Sequence, residues 1–334
     1  SHEGIDYSPA EILVSNGGRP LIYAIFRSIV DAGDKVIYPV PSWNNNHYTH
    51  FTGGEHVMIE ALPENNFMPT AAQIAPHIKG ATLLALCSPL NPTGTVFSKE
   101  ELEAICDLVI AENEGRAPGD KKLYLMYDQI YWTLTYGQTR HYNPVSLRPK
   151  MKEYTVFVDG ISKAFAATGV RVGWSMGPAE LIVKMRSLNS HIGSWAPMAE
   201  QKAVAKFLSQ KTEVDRFLQQ FKDEISHRLR RIYEGFKQLQ SEGFPVDAII
   251  PQAAIYLTVQ INLAGRRTQS GQLLENQAAV TDFILNEAKL ALVPFGIFGA
   301  GKENNWYRLS VGTCRKQDID TVIAKLREAL QKIS

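Results

Sequence analysis

The chain has 334 residues, 45% of them hydrophobic and 21% charged, with a formal net charge of +1. Such a composition holds enough apolar material for a large core and a second domain; charges of both signs alternate along it, which leaves no electrostatic footprint for nucleic acid or an anionic membrane, and its longest apolar runs are strand-sized, too short to span a bilayer. Cys87, Cys106 and Cys314 are scattered without metal-ligand spacing, and no signal-like segment is read at the start, so a reduced, cytoplasmic setting is expected.

In chain order, residues 11–15 predict a strand, a Gly-Gly turn follows, and residues 20–32 predict a helix. Further strands are expected at 35–40, 56–60, 82–87, 123–127, 155–158 and 171–176. Leu83-Leu84-Ala85-Leu86-Cys87 and Val156-Phe157-Val158 are apolar throughout, as strands buried on both faces should be. Residues 99–112 predict a helix capped by Ser98, with Glu101 three residues on. This alternation predicts an α/β fold with a mostly parallel sheet and helices on both faces. Residues 178–240 are helical in pattern, and Phe207, Leu208, Phe217, Leu218 and Phe221 suit one long helix joining two domains. After Gly243-Phe244-Pro245 a smaller α+β unit is expected, with strands at 254–261 and 306–311 and helices at 281–288 and 316–332. The division is thus 11–240 for a large domain and 241–334 for a small C-terminal one.

The residues suited to chemistry follow the large-domain strands, where an open α/β sheet places its ligands. Asn16-Gly17-Gly18-Arg19 opens a helix, whose free N–H groups can hold a phosphate, although a tight turn reads the same way. Pro41-Ser42-Trp43 offers an indole, either to stack on a flat ring or to fill the core. In Ser88-Pro89-Leu90-Asn91-Pro92-Thr93-Gly94, two prolines flank Asn91 and can aim its amide at a fixed polar atom, although a structural turn looks much the same. Asp128 closes a strand with Tyr131 three residues on; it is either a helix cap or the partner of a cation such as a protonated pyridine. Ser162-Lys163 leaves a buried strand, which can desolvate the amine and free it to attack an aldehyde, and Arg171 can return to grip a phosphate; taken singly, they read equally well as a surface lysine and an unrelated arginine. Arg308 is a charge inside an apolar strand, where it needs either an anionic ligand or an internal salt bridge.

Read together and in this order, these motifs resemble the class I/II aminotransferases of the fold-type-I pyridoxal-phosphate superfamily, and bacterial aspartate aminotransferases above all. The most specific stretch is Asp159-Gly160-Ile161-Ser162-Lys163-Ala164-Phe165-Ala166-Ala167-Thr168-Gly169-Val170-Arg171-Val172-Gly173-Trp174-Ser175-Met176-Gly177. The resemblance implies a seven-stranded sheet in a cofactor-binding large domain and a two-fold homodimer with its active sites at the interface. It implies that Lys163 forms a Schiff base with pyridoxal 5'-phosphate and shuttles the substrate proton. Asp128 would pair with the pyridine nitrogen, Asn91 and Tyr131 would bond the phenolic oxygen, and Trp43 would stack on the ring. Gly18 and Arg19, through backbone N–H groups, would hold the phosphate with Ser162 and Arg171, and Arg308 would take the α-carboxylate of the amino-acid or 2-oxo-acid substrate.

Three departures stand out. Pro251-Gln252-Ala253-Ala254-Ile255-Tyr256 replaces the usual Pro-x-Gly-Ala-Phe-Tyr, and Gly160 stands where some members offer a phosphate-binding hydroxyl. Members also carry an N-terminal arm and more of the small domain ahead of the point matching Ser1-His2-Glu3-Gly4, so an arm is expected before residue 1 that this sequence does not include. Gly296 to Gly301-Lys302 matches most of a P-loop, but Glu303 replaces the metal-binding hydroxyl and a strand is expected next, so no nucleotide site is read there. His47 and His50, beside Asn44, Asn45 and Asn46, read as exposed polar residues without a third metal ligand. Arg27 reads as either a solvated helix residue or an anchor for an acidic substrate. A β-lyase of the same fold, or a silent cofactor-binding sensor, would share most of these residues.

Overall fold

The computed structural model describes residues 4–301 and 304–334. β1 (Ile12–Ser15), β2 (Lys35–Val40), β3 (Glu55–Glu60), β4 (Ala81–Cys87), β5 (Tyr124–Asp128), β6 (Thr155–Gly160) and β7 (Gly173–Met176) form one sheet in the order β1-β7-β6-β5-β4-β2-β3. The pairs from β6 through β3 are parallel, whereas β7 runs antiparallel to both β6 and β1.

Period-two alternation explains why these strands had to be apolar throughout. On one face, Leu84 and Leu86 join Ile37, Leu125, Tyr127 and Phe157 against Leu102, Ile105 and Val109 of helix Lys99–Glu114. On the other, Leu83 and Ala85 join Val36, Tyr38, Met126, Val156 and Val158 against helices Gly18–Ile29 and Ala179–His191. Each such buried Leu or Phe stabilises the fold by about 1.5–3 kcal/mol, so a polar residue on either face would be costly. The expected cap is present: Ser98 Oγ accepts the Glu101 N–H at 3.1 Å.

A second, antiparallel sheet runs β10-β11-β9-β8, made of β8 (Val246–Ala248), β9 (Tyr256–Ile261), β10 (Val293–Pro294) and β11 (Trp306–Ser310). Leu257, Val259, Ile261, Tyr307 and Leu309 pack with Ile225, Leu229, Ile232 and Phe236 of the 31-residue helix Lys211–Ser241. Helices Gln277–Ala288 and Ile319–Gln331 complete this core.

Several boundaries differ from the expectation, each for a local reason. The single helical stretch over 178–240 is three helices, Ala179–His191, Met198–Leu208 and Lys211–Ser241, broken between the last two at Ser209-Gln210. The aromatic set still meets across that break, with Phe165 5.4 Å from Phe207 and 5.8 Å from Phe217. The strand expected from 171 begins at Gly173, because Arg171 takes a left-handed φ of 59°. That expected from 254 begins at Tyr256, because Ala254 is left-handed at φ 60°. Helix 20–32 runs Gly18–Ile29 instead. β8 and β10 are too short to leave a period in the sequence.

Helix Asn45–Thr52 carries His47 and His50 on its exposed side, as expected, but Asn45 is buried and its Nδ2 donates to Ser42 Oγ at 3.3 Å. In the P-loop-like stretch, Lys302 and Glu303 lie outside the described residues, as do Ser1, His2 and Glu3. No helix among the described residues is long and apolar enough to cross a membrane, and no cluster of His, Cys, Asp and Glu among them could hold a metal ion.

Candidate active site

The carboxyl ends of β1, β2, β4, β5 and β6 meet at one edge of the large sheet. Because β7 runs the other way, its amino end lies at that same edge, with Gly173 opposite Gly160 on one side and Ser15 on the other. This reversal is what brings Arg171 to the Gly17-Gly18 turn. A Cβ on Gly173 would lie 2.8 Å from the Gly17 carbonyl carbon and 3.0 Å from the Gly18 nitrogen, so only glycine lets the strand pass so close to the helix start. Gly17 itself is left-handed, at φ 86°, and a Cβ there would strike the Arg171 guanidinium. Gly160 is close-packed in the same way: a Cβ would meet Gly173 Cα at 2.9 Å, which leaves no room for a hydroxyl-bearing side chain there.

A cavity of about 550 Å³ opens at this edge. Gly18, Arg19, Trp43, Asn91, Asp128, Tyr131, Ser162, Lys163, Arg171 and Arg308 all line it, so the fold gathers every site residue singled out from the sequence. Arg27 is not among them; it points to solvent from helix Gly18–Ile29.

Asp128 Oδ1 accepts the Ile130 N–H at 3.0 Å, and the carboxylate makes no ion pair among the described residues. Desolvation pushes its pKa up to about 6, against the opposing pull of that hydrogen bond and of Lys163. The Lys163 amine is moved down from the usual lysine range, first by desolvation and then by the positive charges of Arg19 and Arg308. Arg171 is tied down by Nη1 donating to Thr168 O at 2.7 Å and Nη2 to Asn16 O at 3.1 Å.

Arg308 comes from β11 of the second sheet. Its Nη1 donates to Asn91 Oδ1 at 2.9 Å, which leaves the Asn91 NH2 as the donor half of that amide. Among the described residues its Nε is buried without a hydrogen-bond partner, and the guanidinium makes no salt bridge. Trp43 is 38% exposed at the cavity mouth, tilted against Phe298 at 5.9 Å, with Arg308 5.7 Å and Arg19 5.9 Å from its ring centroid.

The sequence reading missed Tyr256, Thr168, Asn45 and the side chain of Arg19. In the sequence Tyr256 shows only as the end of a variant motif, and nothing local ties it to Tyr131, whose hydroxyl it meets at 2.7 Å.

The family model for class I and II aminotransferases matches residues 1–326. The chain belongs to that family. It is a pyridoxal-phosphate-dependent aminotransferase. An aspartate aminotransferase of Geobacillus stearothermophilus is 34% identical over 301 residues, covering 89% of this chain and 71% of that protein. An aspartate/prephenate aminotransferase of Thermus thermophilus is 30% identical, covering 99% and 76%. The solved structure of aspartate aminotransferase from Thermus thermophilus with maleate superposes with a TM-score of 0.84 at 28% identity, covering 98% of this chain and 78% of that one.

The cavity of this aminotransferase fits pyridoxal phosphate on its own evidence. Asp128 is a desolvated carboxylate without an ion pair among the described residues, which a pyridinium nitrogen would satisfy. The glycine-lined start of helix Gly18–Ile29, with Arg171 fixed beside it, forms a cradle that any Cβ at Gly17 or Gly173 would fill. The volume lies within the range of small-molecule sites.

Proposed function

We propose that this aminotransferase moves an amino group between an aspartate-like L-amino acid and a 2-oxo acid such as 2-oxoglutarate, with Lys163 as the amine that holds the cofactor covalently. Pyridoxal phosphate, when bound, supplies the electron sink that lets the substrate Cα–H bond break. The chain's own groups do the rest. Lys163, its basicity lowered by desolvation, would take the proton from the substrate Cα and return it at the cofactor C4′. With the cofactor bound, Asp128 would face the ring nitrogen and keep it protonated. Asn91 and Tyr131 would donate to the phenolic oxygen, Trp43 would cover the ring, and Ser162, Arg171 and the backbone N–H groups of Gly18 and Arg19 would hold the phosphate. Arg308, with its free Nε, takes the α-carboxylate.

The observation that carries the acidic substrate is the pair of guanidiniums flanking Trp43. Arg308 and Arg19 make no ion pairs among the described residues, so the site presents two cations to a ligand with two carboxylates. The names of the relatives, and maleate in the Thermus thermophilus structure, support the same reading. The reading includes a division near residue 240 into cofactor-binding and small domains, a cytoplasmic setting for the free cysteines, and a homodimer. Ile192, Trp195 and Met198, exposed at 48%, 47% and 65% in the single chain, support a partner over that face.

The test is a panel of amino donors against 2-oxoglutarate. Aspartate should exceed alanine by at least about tenfold in kcat/KM, the scale of one buried charge-assisted contact. Equal rates, or pyruvate and ammonia released without an acceptor, would overturn it. Lys163→Ala should abolish turnover and the covalent cofactor band; wild-type-like turnover in that variant would refute the role of Lys163.

A further inference from the structure

We propose that Tyr256 is a positioning residue that couples the two ends of the cavity, its ring seating Arg308 and its hydroxyl holding that of Tyr131. This rests on the reading above, in which Arg308 meets the substrate carboxylate and Tyr131 the cofactor.

Tyr256 begins β9, and the register places it opposite Ser310 while Arg308 lies opposite Thr258. Tyr256 and Arg308 are therefore diagonal neighbours on one face of the small sheet, within reach for long side chains. The Arg308 guanidinium carbon lies 4.7 Å from the Tyr256 ring centroid, inside cation–π range. The Tyr256 hydroxyl lies 2.7 Å from that of Tyr131, and both residues are buried. One of two paired hydroxyls must donate and the other accept, so if Tyr256 donates, the Tyr131 proton is left to point into the cavity.

The backbone fixes this placement. Ala253 N–H donates to Gly94 O and Ala254 N–H to Leu134 O, both at 2.8 Å, and a Cβ on Gly94 would meet the Tyr256 carbonyl oxygen at 2.6 Å. The start of β9 is thus packed onto the loop that carries Asn91, whose amide oxygen holds Arg308. A continuous chain of contacts results: Asn91, Arg308, Tyr256, Tyr131. The charged and titratable groups facing it are Asp128 and Cys87 from the ends of β5 and β4, Arg308 from β11, and Lys163 across the cavity.

The experiment compares holoenzyme carrying Tyr256→Phe, Tyr256→Leu and Tyr131→Phe. The first readout is the pH titration of the bound pyridoxal-phosphate absorbance without substrate. The second is the Kd of maleate, an unreactive dicarboxylate, followed through the same absorbance. Tyr256→Phe keeps the ring and loses the donor to Tyr131, so its titration midpoint should rise by about half a pH unit, the scale of one hydrogen bond, with maleate affinity kept. Tyr256→Leu should raise both the maleate Kd and the KM by about fivefold, the scale of one cation–π seat, with a smaller change in kcat. An unmoved midpoint in Tyr256→Phe while Tyr131→Phe is shifted, or wild-type maleate affinity in Tyr256→Leu, would overturn the coupling. An unmoved midpoint in Tyr131→Phe would instead remove the cofactor role of Tyr131, and the coupling with it.

Discussion

Two carboxylates, the half-buried Asp128 in the cavity wall and the buried Asp159, set the electrostatics of the cavity floor. Desolvation pushes Asp128 to about 6 and Asp159 to about 7, and Asp128 adds to the rise at Asp159. Asp159 is held in place all the same, accepting Trp132 Nε1–H at 2.9 Å and the Gly160 N–H at 2.7 Å. A folded-state pKa raised above the unfolded value of about 4 means stability that is whole below pH 4 and is lost as pH rises through the folded value. For Asp128 the loss therefore builds between about pH 4 and 6 in protein without cofactor. Asp128→Asn should make cofactor-free protein more stable at pH 8 by about 1–3 kcal/mol, with the advantage shrinking toward acid pH. It should also slow Cα proton exchange in the loaded enzyme by orders of magnitude, since the ring nitrogen loses its anion. Urea unfolding across pH and hydrogen exchange at Cα check the two halves. A variant no more stable at pH 8, or exchange at the wild-type rate, would count against the role of Asp128.

At the scale of elements, the reversed β7 is the device that brings Arg171 and the start of helix Gly18–Ile29 together at one end of the cavity, where the proposed function places the phosphate. A parallel β7 would send Arg171 to the opposite edge of the sheet. Its antiparallel course places Gly173 against the first residues of helix Gly18–Ile29, with no space for a side chain. Gly173→Ala should therefore push the strand off the helix start, costing about 1–3 kcal/mol of stability as overpacking does. Because the displaced groups are the Gly18 N–H and Arg171, cofactor affinity should fall further than stability alone explains. Titration of cofactor-free protein with pyridoxal phosphate measures this, and an unchanged Kd would show that the close approach is not part of the phosphate site.

For the whole molecule, Ile192, Trp195 and Met198 form an exposed apolar set close together in the chain, at and after the end of helix Ala179–His191. An isologous interface over it would bury the patch in both copies and help to exclude water from both cavities. Sedimentation should give twice the chain mass, 37.3 kDa, and Met198→Asp should shift the protein toward monomer with a fall in turnover. A wild-type monomer with full activity would sink the homodimer.

Much of this site could be read from the sequence, and the reason is positional. Strands buried on both faces must be apolar throughout, so β4, β5 and β6 announce themselves, and Asn91, Asp128 and Lys163 follow their ends directly. Glycines needed for close approach, and an arginine within an apolar strand, are equally conspicuous because each violates a local preference for a chemical reason. What the chain order could not carry is whatever depends on two distant segments meeting. The break at Ser209-Gln210, the left-handed Ala254 and the two-residue β10 leave no periodic trace, because tertiary packing imposes them. Neither Tyr256 nor Tyr131 carries a local mark of their hydroxyl contact, which exists only because β9 docks on the loop at Asn91–Gly94. The sequence by itself determined the family, the cofactor and the residues at the strand ends, since chemistry demands those residue types at those positions. Only the tertiary structure decided how the second sheet completes the cavity, because Arg308 and Tyr256 reach it through side-chain contacts that no local pattern encodes.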